Sequence, residues 1–155
     1  MKVIIAGSRP PKEFNCIQLD RWEQKMMAEL EKAVAEAKKL YGIEITEVIS
    51  GKARGIDTIG EYWAAKHDIP VIPMPADWHP EWKKGQLDRG AGFRRNARMA
   101  DVGEALIDLW DGESRGSKNM IEIAIKKCIR VHVHMITHDL PAAEELDRFD
   151  SDCPF

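Results

Sequence analysis

The chain carries 155 residues, 44% hydrophobic and 32% charged, enough to bury one core and too few for two ordinary domains. Its 23 Lys and Arg against 26 Asp and Glu leave a formal charge of −3. That excludes a global basic field for non-specific duplex binding, so any anion site must be local. Cys16, Cys128 and Cys153 are odd in number, far apart and without metal-ligand spacing, which fits reduced cytoplasmic thiols rather than a disulfide framework.

Met1 to Ala6 holds only a short apolar run before a turn. It reads neither as a signal peptide nor as a membrane span, so a cytoplasmic location without membrane partners is expected. Val3 to Ala6 reads as a buried strand ended by Gly7-Ser8-Arg9-Pro10-Pro11. A long helix follows from about Leu19 to Tyr41, because Trp22, Met26, Leu30, Ala33, Ala37 and Leu40 recur every three to four positions and Gly42 stops it. Ile45 to Ile49 is a second strand, leading through Ser50-Gly51-Lys52-Ala53-Arg54-Gly55 into a helix carrying Ile56, Ile59 and Trp63. Ile69 to Met74 is a third strand interrupted by Pro70 and Pro73.

A polar, Trp-rich loop spans Pro75 to about Gly90. A helix with Arg94, Arg95, Asn96 and Met99 then leads to a fourth strand near Ala105 to Trp110. Asp111 to Gly116 turns into a helix from about Ser117 to Lys127, and a fifth strand follows in which Ile129, Val131, Val133 and Met135 alternate with polar residues. Alternating strands and helices predict an α/β, Rossmann-like domain over 1–137 with a five-stranded, mainly parallel sheet between helices. The first strand should be central and the fifth an edge. An acidic tail is expected over 138–155.

In such a sheet every strand-to-helix turn opens on one edge, so distant residues converge there. Three turns combine glycine, hydroxyls and a cation: Gly7-Ser8-Arg9, Ser50 to Gly55 with Gly51 and Arg54, and Gly112 to Ser117 with Ser114, Arg115 and Gly116. Glycine lets backbone N–H groups approach an anion, a helix N-terminus adds partial positive charge, and arginine supplies a fork matched to phosphate. Neither G-x-x-x-x-G-K-[ST] nor G-x-G-x-x-G is present, which disfavours a Walker ATPase or an ordinary dinucleotide dehydrogenase. Asp57 either caps a helix start or accepts from a ribose hydroxyl, and Glu61 one turn later either joins it or faces water. Trp78 and Trp82 either stack on a base or cover the sheet edge. His132, His134 and His138 have no acidic or thiol partner at characteristic spacing. They are read as solvent-facing, with no metal and no cofactor expected.

The ordered segments Ile4 to Arg9, Ser50-Gly51 with Ala53 to Asp57, Pro75 to Trp78, Ala91-Gly92 with Arg95-Asn96 and Met99, and Trp110-Asp111-Gly112 with Ser114-Arg115-Gly116 resemble the SLOG superfamily. They are most similar to its YspA, or cpYpsA-related, branch. The likeness runs from Met1 to about Val133. It implies a nucleotide-binding domain related to the Lonely-guy phosphoribohydrolases and to the DNA-processing protein A family, which binds single-stranded DNA through a similar S-G-x-A-x-G-I-D segment. It further implies sensing or processing of nucleotide-derived signals, including NAD- or ADP-ribose-derived ones, in bacterial and phage conflict systems.

The Lonely-guy signature P-G-G-x-G-T-x-x-E carries a catalytic Glu where Met120 stands here, and Glu122 lies about 200° further round the helix at roughly 100° per residue. The family's paired Arg has a counterpart in Arg95 to Met99. The expected function is therefore binding of a nucleotide-derived ligand, as a sensor or sequestering protein, with Arg95, Asn96 and Asp111 joining the turn residues. Two alternatives stay open. One is an N-glycosidic or phosphoribosyl hydrolase using Asp57, Glu61, Arg95 or Glu122; the other is a single-stranded nucleic acid binder. The expected partner is a nucleotide-like small molecule, and a homo-oligomer is left open.

Overall fold

A computed structural model describes residues 1–140; residues 141–155, most of the expected acidic tail and Cys153 with it, lie outside the described residues. The elements run β1 (Lys2–Gly7), α1 (Cys16–Tyr41), β2 (Glu47–Ser50), α2 (Ile56–Lys66), β3 (Val71–Pro73), α3 (Ala91–Val102), β4 (Ala105–Trp110), α4 (Arg115–Lys126) and β5 (Arg130–Met135). All strand pairs are parallel, in the order β3-β2-β1-β4-β5. The sheet thus grows outward from β1 to β3, then returns to the other side of β1 to build β4 and β5. That reversal makes the β1/β4 boundary the topological switch point, where the two following loops separate and leave a crevice.

Strand alternation divides the core into two layers. Val3, Ile5, Val48, Ala105 and Ile107 pack with Trp22, Met26, Leu30, Ile56 and Ile59 of α1 and α2. Ile4, Ala6, Ile49 and Leu106 pack with Met99, Met120 and Ala124 of α3 and α4. The helix α1 starts three residues before the expected Leu19 because Asn15 and Gln18 form a capping box, and Gly42 ends it in the left-handed conformation at φ 64°. Leu40, expected in its apolar stripe, is exposed. A helix of 26 residues runs about 39 Å, while a six-residue strand runs about 20 Å, so α1 is longer than the strands it covers; its C-terminal end meets β5, where the Tyr41 ring lies 5.7 Å from that of His132.

The third strand shrinks to Val71–Pro73 at a sheet edge, where a missing proline N–H is tolerated. At the opposite edge, β5 is not open on its polar face. His132 is 7% exposed, and the side chain of His134 is 13% exposed. Their rings meet Glu29 and Glu36 of α1, so the solvent-facing reading of these histidines is corrected: the covering carboxylates come from about a hundred residues upstream. His138 is also held, between Trp22 Nε1 (3.1 Å) and Asp111 Oδ2 (2.8 Å). Lys25 adds hydrogen bonds to the carbonyls of Thr137 and Asp139. No described helix is long and apolar enough to cross a membrane.

Candidate functional site

The loops after β1, β2 and β4 surround a cavity of about 320 Å³, joined by the inner faces of α3 and α4. Its lining includes Gly7, Arg9, Asp57, Arg95, Asn96, Asp111, Ser114, Gly116 and Ser117. Ala6, Ala53, Met99 and Met120 complete it.

The approach of β1 to this space depends on Gly7, where a Cβ would lie 2.7 Å from Ile56 Cγ1. Behind it Ser8 is fully buried. Its N–H donates to the Leu109 carbonyl at 3.0 Å and its Oγ accepts from the Asp111 N–H at 3.0 Å, tying the β1 loop to the β4 loop. In the β2 loop the Ser50 Oγ accepts from the Lys52 N–H at 3.2 Å. Gly51 offers its carbonyl to Arg95 Nη1, and a Cβ there would lie 2.7 Å from that nitrogen and 2.8 Å from Asp57 Oδ2. A side chain there would have to displace the Arg95 or the Asp57 terminus.

Asp57 does not cap α2. The helix opens on Gly55 at φ 88° without a side-chain cap, and Asp57 Oδ2 reaches back to accept from the Ala53 N–H at 3.1 Å. Burial pushes its pKa up to about 6, against the opposing effects of that hydrogen bond and of Arg95 and Arg9. Burial also lowers the Arg95 pKa, with Asp57 opposing it. The Arg95 Nε donates to Asn96 Oδ1 at 3.1 Å, and Asn96 Nδ2 donates to Asn119 Oδ1 at 3.0 Å. The second bond ties α3 to α4 beside the cavity.

Asp111 faces the same space from the β4 loop. Its Oδ1 accepts from the N–H groups of Glu113 (2.9 Å) and Ser114 (2.8 Å), and its Oδ2 meets His138. Partial burial raises its pKa, but the hydrogen bonds from His138 and the loop N–H groups outweigh this and hold it down at about 2. The following helix begins at Ser114 without a side-chain cap, which leaves the first N–H groups of α4 toward the cavity without an internal partner.

Below these loops lies a residue that sequence reasoning passed over. Asp108 is fully buried in β4, and neither of its oxygens has a hydrogen-bond partner among the described residues; nor does the buried Ser117 hydroxyl. Burial pushes the Asp108 pKa up to about 8, and the charges of Asp57 and Asp111 add to the rise; the nearby Ser117 hydroxyl, outside hydrogen-bond geometry, opposes it too weakly to offset burial. The signal was present in Ala105-Leu106-Ile107-Asp108-Leu109-Trp110, where a carboxylate interrupts an otherwise apolar strand.

Other expected site residues lie outside the cavity lining. Arg54 and Arg115 are exposed. Glu61 is paired with Lys52 at 2.6 Å, and Glu122 is exposed on α4. Gly112, at φ 84°, serves the turn. Trp78 stands against Gly92, outside the lining, while Trp82 lines a separate cleft with Arg94 and Arg98.

Among the described residues, a parallel five-stranded sheet flanked by four helices, with a cavity at its switch point lined by charged and apolar side chains, defines a Rossmann-like α/β domain. A family model described as the YspA, cpYpsA-related SLOG family matches residues 1–80, and the chain belongs to that family. No curated protein and no solved structure matches it.

Proposed function

We propose that the protein binds a nucleotide or nucleotide-derived ligand in the switch-point cavity, as a sensor or sequestering protein. One observation carries this reading: a single cavity of about 320 Å³ joins two guanidinium groups, Arg9 and Arg95, to two carboxylates, Asp57 and Asp111, beside an apolar wall of Met99 and Met120. Phosphate matches the arginines and the open first turn of α4. Ribose hydroxyls match the carboxylates, which accept hydrogen bonds, and a base matches the polarisable methionine wall. An ADP-ribose-like molecule carries all three parts. Membership of the SLOG family is consistent with a nucleotide-related ligand.

Native mass spectrometry of untagged protein, purified without denaturation, tests this reading. The expected result is the chain with a retained nucleotide-sized mass, or saturable heat on titration with AMP, ADP-ribose or NAD. A bare chain that gives no heat with any of them contradicts it.

The opposite titration of Asp57 and Asp111 favours a second reading, cleavage of an N-glycosidic bond. A carboxyl with a pKa near 6 suits proton donation to a departing base, and an ionised carboxylate suits an oxocarbenium-like sugar. Met120, at the position of the Lonely-guy carboxylate, forms part of the wall instead, so the chemistry would run through Asp57 and Asp111. Chromatography for free base after incubation with AMP, GMP, CMP, UMP and IMP separates the readings. Binding without base release supports the first; steady release that is lost in Arg95→Ala supports the second.

A further inference from the structure

We propose that Glu36, His132 and His134 form a binding site for a divalent first-row transition ion of the Zn(II) class, which staples α1 to the edge strand β5. The site lies on the α1 face of the sheet and shares no residue with the cavity lining. Three potential ligand atoms, one from each residue, lie within 4.8 Å of one another. Glu36 Oε2 stands 3.1 Å from His132 Nε2 and 3.4 Å from His134 Nδ1. In a tetrahedral site with bonds of about 2.0–2.1 Å, neighbouring ligand atoms are separated by about 3.3–3.4 Å. The two spacings to Glu36 lie close to that edge length, and the histidine nitrogens lie within 4.8 Å of each other.

The other nitrogen of His134 strengthens the assignment. His134 Nε2 lies 2.6 Å from Glu29 Oε2, which leaves Nδ1 as the ring nitrogen that faces Glu36. A carboxylate holding the far N–H of a ligating imidazole is the usual support of a metal-bound histidine. Residues 132 and 134 alternate onto one face of β5, and Glu29 and Glu36 sit two turns apart on the same side of α1. The site therefore draws two elements together whose sequence separation hides it. Two imidazoles and one carboxylate favour Zn(II) over Mg(II) or Ca(II), which take mainly oxygen ligands. The half-exposed side chain of Glu36 leaves the fourth position open to water.

The test is titration of untagged, chelator-treated full-length protein with Zn(II) by calorimetry and with Co(II) by visible absorption. The expected outcome is one ion per chain, the strong d–d bands of four-coordinate Co(II), and no thiolate charge-transfer band from the exposed Cys16 or Cys128. His134→Ala should weaken binding at least a hundredfold and Glu29→Gln about 10- to 100-fold. Glu36→Gln, at a half-exposed helix position, keeps the test decisive if the histidine variant fails to fold by circular dichroism. Absence of saturable binding, a thiolate band, or wild-type affinity in folded Glu36→Gln overturns the site.

Discussion

Asp57 in the first turn of α2 and Asp111 in the loop after β4 line one cavity and titrate in opposite directions, one raised to about 6 and the other lowered to about 2. Both follow parallel strands, and both accept backbone hydrogen bonds. The difference lies in how much solvent is lost and how many donors replace it. Asp57 is 7% exposed with a single hydrogen bond from the Ala53 N–H, and its two arginines act at longer range. Asp111 keeps more solvent and gathers two loop N–H groups and His138. A carboxylate with three donors stays ionised, whereas one with burial and few donors is poised near neutrality.

The largest expected way to break this contrast is Arg95→Ala, which removes the stronger of the two cations offsetting the burial of Asp57. Urea unfolding at pH 7 should show a loss of about 3 kcal/mol, because a buried carboxylate then keeps only the Ala53 N–H and the more weakly acting Arg9. The loss should shrink at pH 5, where Asp57 takes up a proton. A pH-independent loss would mean that Arg95 acts through packing instead.

Next in size is Arg9→Ala, whose guanidinium lines the cavity while the residue itself is exposed. Affinity for a bound nucleotide should fall by about 1.5–3 kcal/mol, roughly ten- to a hundredfold, with little change in thermal unfolding. Calorimetry on the folded variant checks this.

Asp108→Asn sharpens the comparison from below. The folded pKa of Asp108 is about 8 against about 3.9 for an unfolded aspartate. Between those values the unfolded chain has released its proton and the folded chain still holds it. This group therefore supports folding fully below about pH 4, and its support declines as pH rises to about 8. The asparagine variant removes that decline and should gain about 1–2 kcal/mol at pH 8.5, with less at pH 5. Denaturation at the two pH values measures it.

The smallest effect belongs to Arg115→Ala. The residue is exposed and outside the lining, so affinity should move by no more than about 0.5 kcal/mol, about twofold. A tenfold loss would bring the α4 arginine back to the ligand.

Much of the fold was legible because its periodic signals are local. Buried runs such as Val3 to Ala6, the stripe from Trp22 to Ala37 and the glycine-marked turns gave the strand and helix order, the central β1 and the edge β5. The switch-point loops were legible for the same reason, as were Asp57 beside Gly55 and the Arg95-Asn96 pair. Turn composition does not report direction: Arg9, Arg54 and Arg115 occupy similar loops, yet only Arg9 lines the cavity. The apolar wall of Met99 and Met120 looked like ordinary core in sequence. Asp108 was visible as a lone charge in a buried strand, but its complete burial and the nearby charges of Asp57 and Asp111 are set by the tertiary fold. The partners of His132 and His134 were invisible, because Glu29 and Glu36 meet them from α1, about a hundred residues upstream in the chain.

The most direct measurement of ligand binding at the switch point is a nuclear magnetic resonance titration of labelled protein with AMP, ADP-ribose and NAD, following backbone amides and aspartate carboxyl carbons together. At least one of these ligands is predicted to give saturable shifts concentrated at Gly7, Arg9, Gly116 and Ser117 and at the carboxyls of Asp57 and Asp111, with the α1–β5 histidines unmoved. Shifts confined to the Trp82 loop, or no saturable shift with any of the three, would contradict it.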